Sequence, residues 1–128
     1  MPVSSSHAIH VDPVRNLVDV RLAGFFNPED ASWVAEEVRA AILSLGDAIG
    51  RHVTLYDASA VKVAPPATIE AIRMSYAMPQ VRELWARKVA FVATTALVRR
   101  QVARLTDVHP ALQVFRDRAS ALAWLLED

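Results

Sequence analysis

The apolar positions of the chain alternate between short β-branched runs and longer stretches with helical spacing. Ala8-Ile9-His10-Val11 and Leu17-Val18-Asp19-Val20-Arg21-Leu22 bracket Asp12-Pro13-Val14-Arg15-Asn16, where a turn-setting Pro and a turn-tolerant Asn predict a hairpin. In its second arm Leu17, Asp19 and Arg21 alternate with Val18, Val20 and Leu22, which predicts one inward and one solvent-facing side close to a sheet edge. Asn27 can then cap a helix with Pro28 at its first position and Glu29 and Asp30 at the positive end of its dipole. Val34, Val38, Ala41, Ile42 and Leu45 fall on one face of that helix, and Gly46 follows where a left-handed C-cap is wanted.

The run from Arg51 to Ser59 organises the chain. Val53-Thr54-Leu55-Tyr56 reads as a buried central strand that ends in Asp57 and Ser59, polar groups at the carboxyl end where α/β proteins open a crevice. Beyond the Pro65-Pro66 break, Ile69, Ile72 and Tyr76 share a helical face, Pro79 interrupts it, and Val81, Leu84 and Trp85 resume it, predicting two helical pieces between Thr68 and Ala86. Val89-Ala90-Phe91-Val92-Ala93 is a second buried strand, parallel to the first because a long helical crossover joins them. From Ala96 to Thr106 an inner stripe of Leu97, Val98, Val102 and Leu105 opposes an outer one of Arg99, Arg100 and Arg104, with Thr94 and Thr95 ready to cap. His109-Pro110 closes this helix, Leu112 to Phe115 gives a last strand, and Asp117 caps a terminal helix carrying Leu122, Leu125 and Leu126. The order β-β-α-β-α-β-α-β-α predicts a single-domain α/β fold over residues 1–128, with a mixed, mostly parallel sheet, an N-terminal antiparallel hairpin and helices packed on it.

Composition narrows the class. Fourteen basic residues balance fourteen acidic ones, so no global field draws the protein to nucleic acid or anionic lipid, while the lack of charge repulsion favours self-association and leaves a homodimer open. The absence of Cys excludes disulfides, thiolate zinc sites and thiol catalysis. No apolar run is long enough to span a bilayer and the N-terminus has no secretory pattern, so a cytoplasmic location is expected.

Candidate chemistry is sparse. Asp57 can anchor a ligand or bond its own local backbone. Ser59 and Thr68 can accept phosphate or serve as turn and cap hydroxyls, and Arg99 with its neighbours can hold an acidic partner or line a solvated helix face. His7, His10, His52 and His109 are dispersed without metal-ligand spacing, and Trp33, Trp85 and Trp124 read as core packing, the alternative being the lining of an apolar pocket. No nucleophile elbow, phosphate-cradling loop or dinucleotide fingerprint is present, so no catalytic residue, metal or cofactor is called for.

The element order, with Leu55-Tyr56-Asp57-Ala58-Ser59 on the central strand and the closing segment from Val114 to Leu125, resembles the small bacterial STAS-like proteins over nearly the whole chain. That family is related to anti-sigma-factor antagonists and shares its broad fold with CRAL-TRIO lipid-binding domains. The resemblance implies a non-enzymatic regulatory or protein-interaction module with a protein partner; the alternative it implies is a carrier of an apolar small molecule or lipid. In the antagonists an Asp-Ser-Ser-Gly turn after this strand carries a phosphorylated serine. Here that turn falls on Pro65-Pro66-Ala67-Thr68, which lacks the serine and removes the usual phosphoserine switch.

Overall fold

A computed structural model describes residues 5–127 of the protein. Ser6–Asp12 (β1) and Leu17–Phe25 (β2) form the hairpin, antiparallel with Ala8 opposite Arg21 and Val11 opposite Val18. Asn16 closes the turn at φ 50°, a left-handed conformation that Asn tolerates far better than a β-branched residue. Helix α1, Pro28–Leu43, begins on a reciprocal cap: Asn27 Oδ1 accepts from the Asp30 amide at 2.8 Å, and Asp30 Oδ2 accepts from the Asn27 amide at 3.1 Å. Strand β3 spans Val53–Val63, followed by α2 (Pro66–Ala77) and α3 (Pro79–Arg82), which Pro79 separates as expected. Lys88–Val92 (β4), Ala96–Ala103 (α4), Leu112–Phe115 (β5) and Arg118–Leu125 (α5) complete the order.

The strands lie in chain order, β1-β2-β3-β4-β5, and every pairing after the hairpin is parallel, so the predicted neighbours Val53–Tyr56 and Val89–Val92 do pair. Right-handed crossovers along a sheet in chain order put successive helices on one face. Accordingly α1, α2 and α4 share a face, packing Val34, Val38, Ile69, Val98 and Val102 on Val18, Val20, Val89 and Phe91. Among the described residues the opposite face carries α5, whose Ala121 and Leu125 sit on Leu17, Val53, Leu55, Ala90 and Val92. Leu17, Leu55 and Leu125 are fully buried there, each contributing about 1.5–3 kcal/mol relative to exposure. Lys88 Nζ secures the far end of α5 by donating to the Trp124 carbonyl at 2.7 Å.

Several expectations are corrected. The first half of β2 has no solvent-facing side: β1 is the edge, β2 lies between it and β3, Leu17 through Val20 are all buried, Asp19 included, and the strand meets solvent only from Arg21 onward. The central strand does not stop at Asp57, because the Ala60–Val63 segment stays paired with β2 after β4 has ended opposite Asp57. Helix α1 ends at Ser44, and Gly46, at φ +57°, instead starts a short 3-10 turn to Ala48. Leu97 leaves the inner stripe of α4 for solvent, and Trp33 is 64% exposed, so it packs no core.

Two buried imidazoles give the fold a pH dependence. His52 accepts from the Gly50 amide through Nδ1 but has no partner at Nε2, and neither ring nitrogen of His109 has one. Burial pushes both below the ordinary 6.5, opposed only by local backbone contacts. The unfolded chain therefore binds these protons first. Stability should be full above about pH 6.5 and fall as pH drops through that value, by at most about 1.4 kcal/mol per pH unit for each group. Urea midpoints between pH 8 and 5 should show this slope, and His109→Phe, which keeps a ring against Trp85, should reduce it to the part that His52 contributes.

Candidate functional site

Midway along β3, where its pairing with β4 ends, Asp57 is enclosed by three donors. Its Oδ1 accepts from the Ser59 hydroxyl at 2.6 Å and the Ser59 amide at 3.1 Å, and its Oδ2 accepts from Arg118 Nη1 at 3.2 Å. Arg118, at the first position of α5, also donates from Nη1 to Asp19 Oδ1 at 3.2 Å and from Nη2 to Asp19 Oδ2. Asp19 and Asp57 reach one guanidinium because Asp19 pairs with Leu55 and Arg21 with Asp57, which puts both carboxylates on the α5 face of adjacent strands. Their side chains are only 10% and 12% exposed, so the cluster joins β2, β3 and α5 in a poorly solvated setting.

The electrostatics follow from this enclosure. Burial pushes the Asp57 carboxyl up, but the Ser59 hydroxyl and amide and the Arg118 guanidinium outweigh it, and the net direction is below the ordinary 3.8. Asp19, then Asp57, holds Arg118 above its ordinary value against the effect of burial. A depressed carboxyl adds stability above the ordinary 3.8 that is lost as pH falls through its lower folded value. Ser59→Ala should raise the Asp57 titration midpoint, read by NMR, at a cost of about 0.5–1 kcal/mol because the lost hydroxyl lies at the surface.

The four residues singled out from sequence do not form one site. Asp57 and Ser59 are joined as described and border a shallow depression with Ser6 and Arg21. Thr68 lies on the opposite side of the sheet, 1% exposed, its Oγ1 donating to the Phe26 carbonyl at 2.9 Å. Arg99 is half-buried, and its Nη1 donates to the carbonyls of Ala93 and Thr94 at 3.2 and 2.8 Å, closing the end of β4. It therefore leaves the basic outer stripe to Arg100 and Arg104, which are exposed.

Two features escaped the sequence reading. One is the Asp19–Arg118 pair, although an acid inside an otherwise apolar strand and a cation at a helix N-terminus, where the dipole repels it, were both visible signals. The other is the position of an apolar cavity, about 230 Å³ between the sheet and helices α1 and α2, with Phe26, Val38, Thr54, Tyr56, Ile69 and Tyr76 in its wall. Trp85 stacks on His109 at its border, with ring centroids 4.0 Å apart. Burial raises the Tyr56 phenol, and burial together with the adjacent Tyr56 raises Tyr76 well above 10.0, so both hydroxyls stay neutral at physiological pH.

No family model and no curated protein matches the sequence. Solved structures do match. An anti-sigma factor antagonist from Mycobacterium paratuberculosis superposes with a TM-score of 0.69 at 14% identity, over 97% of this chain and 96% of its own. An uncharacterised protein from Shewanella loihica with a SpoIIAA-like fold gives 0.63 at 14% identity, over 98% of this chain and 96% of its own. The chain thus has the STAS-like, SpoIIAA-like α/β fold that the resemblance implied.

Proposed function

We propose that the protein is a cytoplasmic, non-enzymatic regulatory or protein-interaction module of the STAS-like type that works without a phosphoserine switch. The observation that carries this reading is the burial of Thr68: the hydroxyl nearest the switch position of the antagonists donates to the Phe26 carbonyl and faces the core. A kinase cannot reach a hydroxyl in that state, and a phosphate there would bring nearly two negative charges into an apolar wall. Ser59 is exposed, but its hydroxyl is engaged by Asp57, whose negative charge opposes a phosphate at that position. Likeness to an anti-sigma factor antagonist supports the choice of a protein partner. Among the described residues no helix is long and apolar enough to cross a membrane.

The test combines affinity purification with phosphoprotein mass spectrometry. A partner should co-purify in stoichiometric amount with the unmodified protein and bind Ser59→Ala and Thr68→Val with unchanged affinity. A stoichiometric phosphate on either residue, coupled to a tenfold change in that affinity, would restore the switch. A second reading, a carrier of an apolar small molecule, is favoured by the cavity beneath α1 and α2. It is compatible with the first, since an occupant of the cavity would touch only the inner faces of α1 and α2 and the sheet.

A further inference from the structure

Among the described residues, five buried side-chain nitrogen and oxygen atoms have no hydrogen-bond partner in the protein. Three of them belong to two stacked rings that line the cavity: Trp85 Nε1 and both ring nitrogens of His109. His109 is fully buried, its ring centroid 4.0 Å from that of Trp85 and 5.2 Å from that of Tyr76, which it meets edge-on. Aromatic packing holds the two rings in place but leaves their nitrogens unanswered, and an unmade hydrogen bond inside a protein is costly. The Thr54, Tyr56 and Tyr76 hydroxyls share the wall, and none of them is a buried atom without a partner. The unmet demand in this wall therefore gathers where Trp85, ahead of β4, meets His109, ahead of β5.

The donor inventory bounds what can meet it. Burial holds the His109 imidazole below its ordinary 6.5, so at neutral pH it has one N–H and one bare nitrogen, while the indole adds an N–H and no acceptor. An ammonium has nothing to accept the indole proton. A hydroxyl accepts from the indole and also donates to or accepts from the imidazole, whichever nitrogen carries the proton. An anion would lack a buried counter-charge, since Glu36 and Arg39, the charged residues of the wall, are exposed. Size adds a second bound. A cavity of about 150 Å³ accommodates benzene, so one of about 230 Å³ holds roughly nine non-hydrogen atoms and not a whole phospholipid. Resting on the carrier reading, we infer that the cavity binds a neutral, mainly apolar alcohol of about nine non-hydrogen atoms, its hydroxyl held by Trp85 Nε1 and the His109 imidazole.

The experiment uses 1-phenylethanol and isopropylbenzene, which match in size and differ by a hydroxyl in place of a methyl group, with benzoate as an anion of similar size. Affinities are measured by NMR titration on the unmodified protein, Trp85→Phe and His109→Phe, variants that keep a ring and remove the nitrogens. The alcohol and the hydrocarbon should both bind the unmodified protein, and only the alcohol should move the Trp85 indole N–H resonance downfield. The ratio of alcohol to hydrocarbon affinity should fall about fivefold in at least one variant, the effect of one hydrogen bond. Taking the ratio within each variant cancels any change in cavity shape, and the indole resonance of the unmodified protein decides alone if neither variant folds. An unchanged ratio in the folded variants, with both compounds still bound, overturns the anchor and leaves the carrier reading intact. Tighter binding of benzoate than of the alcohol overturns the neutral class. Binding of none of the three to the unmodified protein overturns the inference and the carrier reading together.

Discussion

Thr68→Glu should unfold the protein near neutral pH rather than imitate a phosphorylated state. Thr68 is 1% exposed and donates to the Phe26 carbonyl at 2.9 Å. A carboxylate there faces an oxygen where a donor is required and brings an unpaired charge into the core. Such a defect costs several kcal/mol, a large part of the roughly 5–15 kcal/mol that holds a domain together. Circular dichroism should record either no cooperative melt or a midpoint lower by roughly 10 °C or more. Thr68→Val keeps the shape, removes only the donor, and should cost about 1–2 kcal/mol. If Thr68→Glu were as stable as the parent, the start of α2 would be open to solvent and the residue would be a reachable phosphoacceptor.

Arg118→Ala should have the next largest effect, a loss of about 2–4 kcal/mol in urea-induced unfolding at neutral pH. The substitution leaves Asp19 and Asp57 close together, poorly hydrated and without their shared cation. The figure is below that for a fully buried pair because the Arg118 side chain is 28% exposed, so water screens part of the interaction. The loss should shrink in acid, where protonated carboxyls no longer repel. Replacing the group together, as Asp19→Leu, Asp57→Asn and Arg118→Met, should recover most of the stability, since a buried ion cluster is often no better than well-packed apolar side chains. A neutral-pH loss below about 0.5 kcal/mol for Arg118→Ala would reduce the cluster to a surface contact.

The strands and helices were legible because each rests on local signals: the Asn27 and Asp117 caps, the Pro79 break, and the β-branched run at Val53. What lay beyond local signals was which side of an element would be covered. Asp19 alternates as if one side of β2 met water, yet α5, from the far end of the chain, covers that side. Leu97 and Trp33 have helical spacing that permits either face, and nothing near them in sequence says that the neighbouring layer ends before it reaches them. Asp57 and Ser59 were found because polar groups at a buried strand are conspicuous. Thr68 was found as a hydroxyl, but its burial depends on Phe26 in another loop. The place and size of the cavity could not be foreseen, because it is the volume left when side chains from α1, α2 and the sheet fail to fill the space between them.

Arg118 also sets an order of assembly. It lies 99 residues from Asp19 and 61 from Asp57, whereas each strand pairs with the strand that precedes it in the chain. No strand has to be inserted between two already paired, so the sheet can grow from β1 towards β5 as a ribosome delivers about 5–20 residues per second. Throughout that growth the two acids of β2 and β3 lack their cation, and one face of the sheet lacks its cover. Docking of α5 is the one contact that supplies the shared cation and covers Leu17 and Leu55 together.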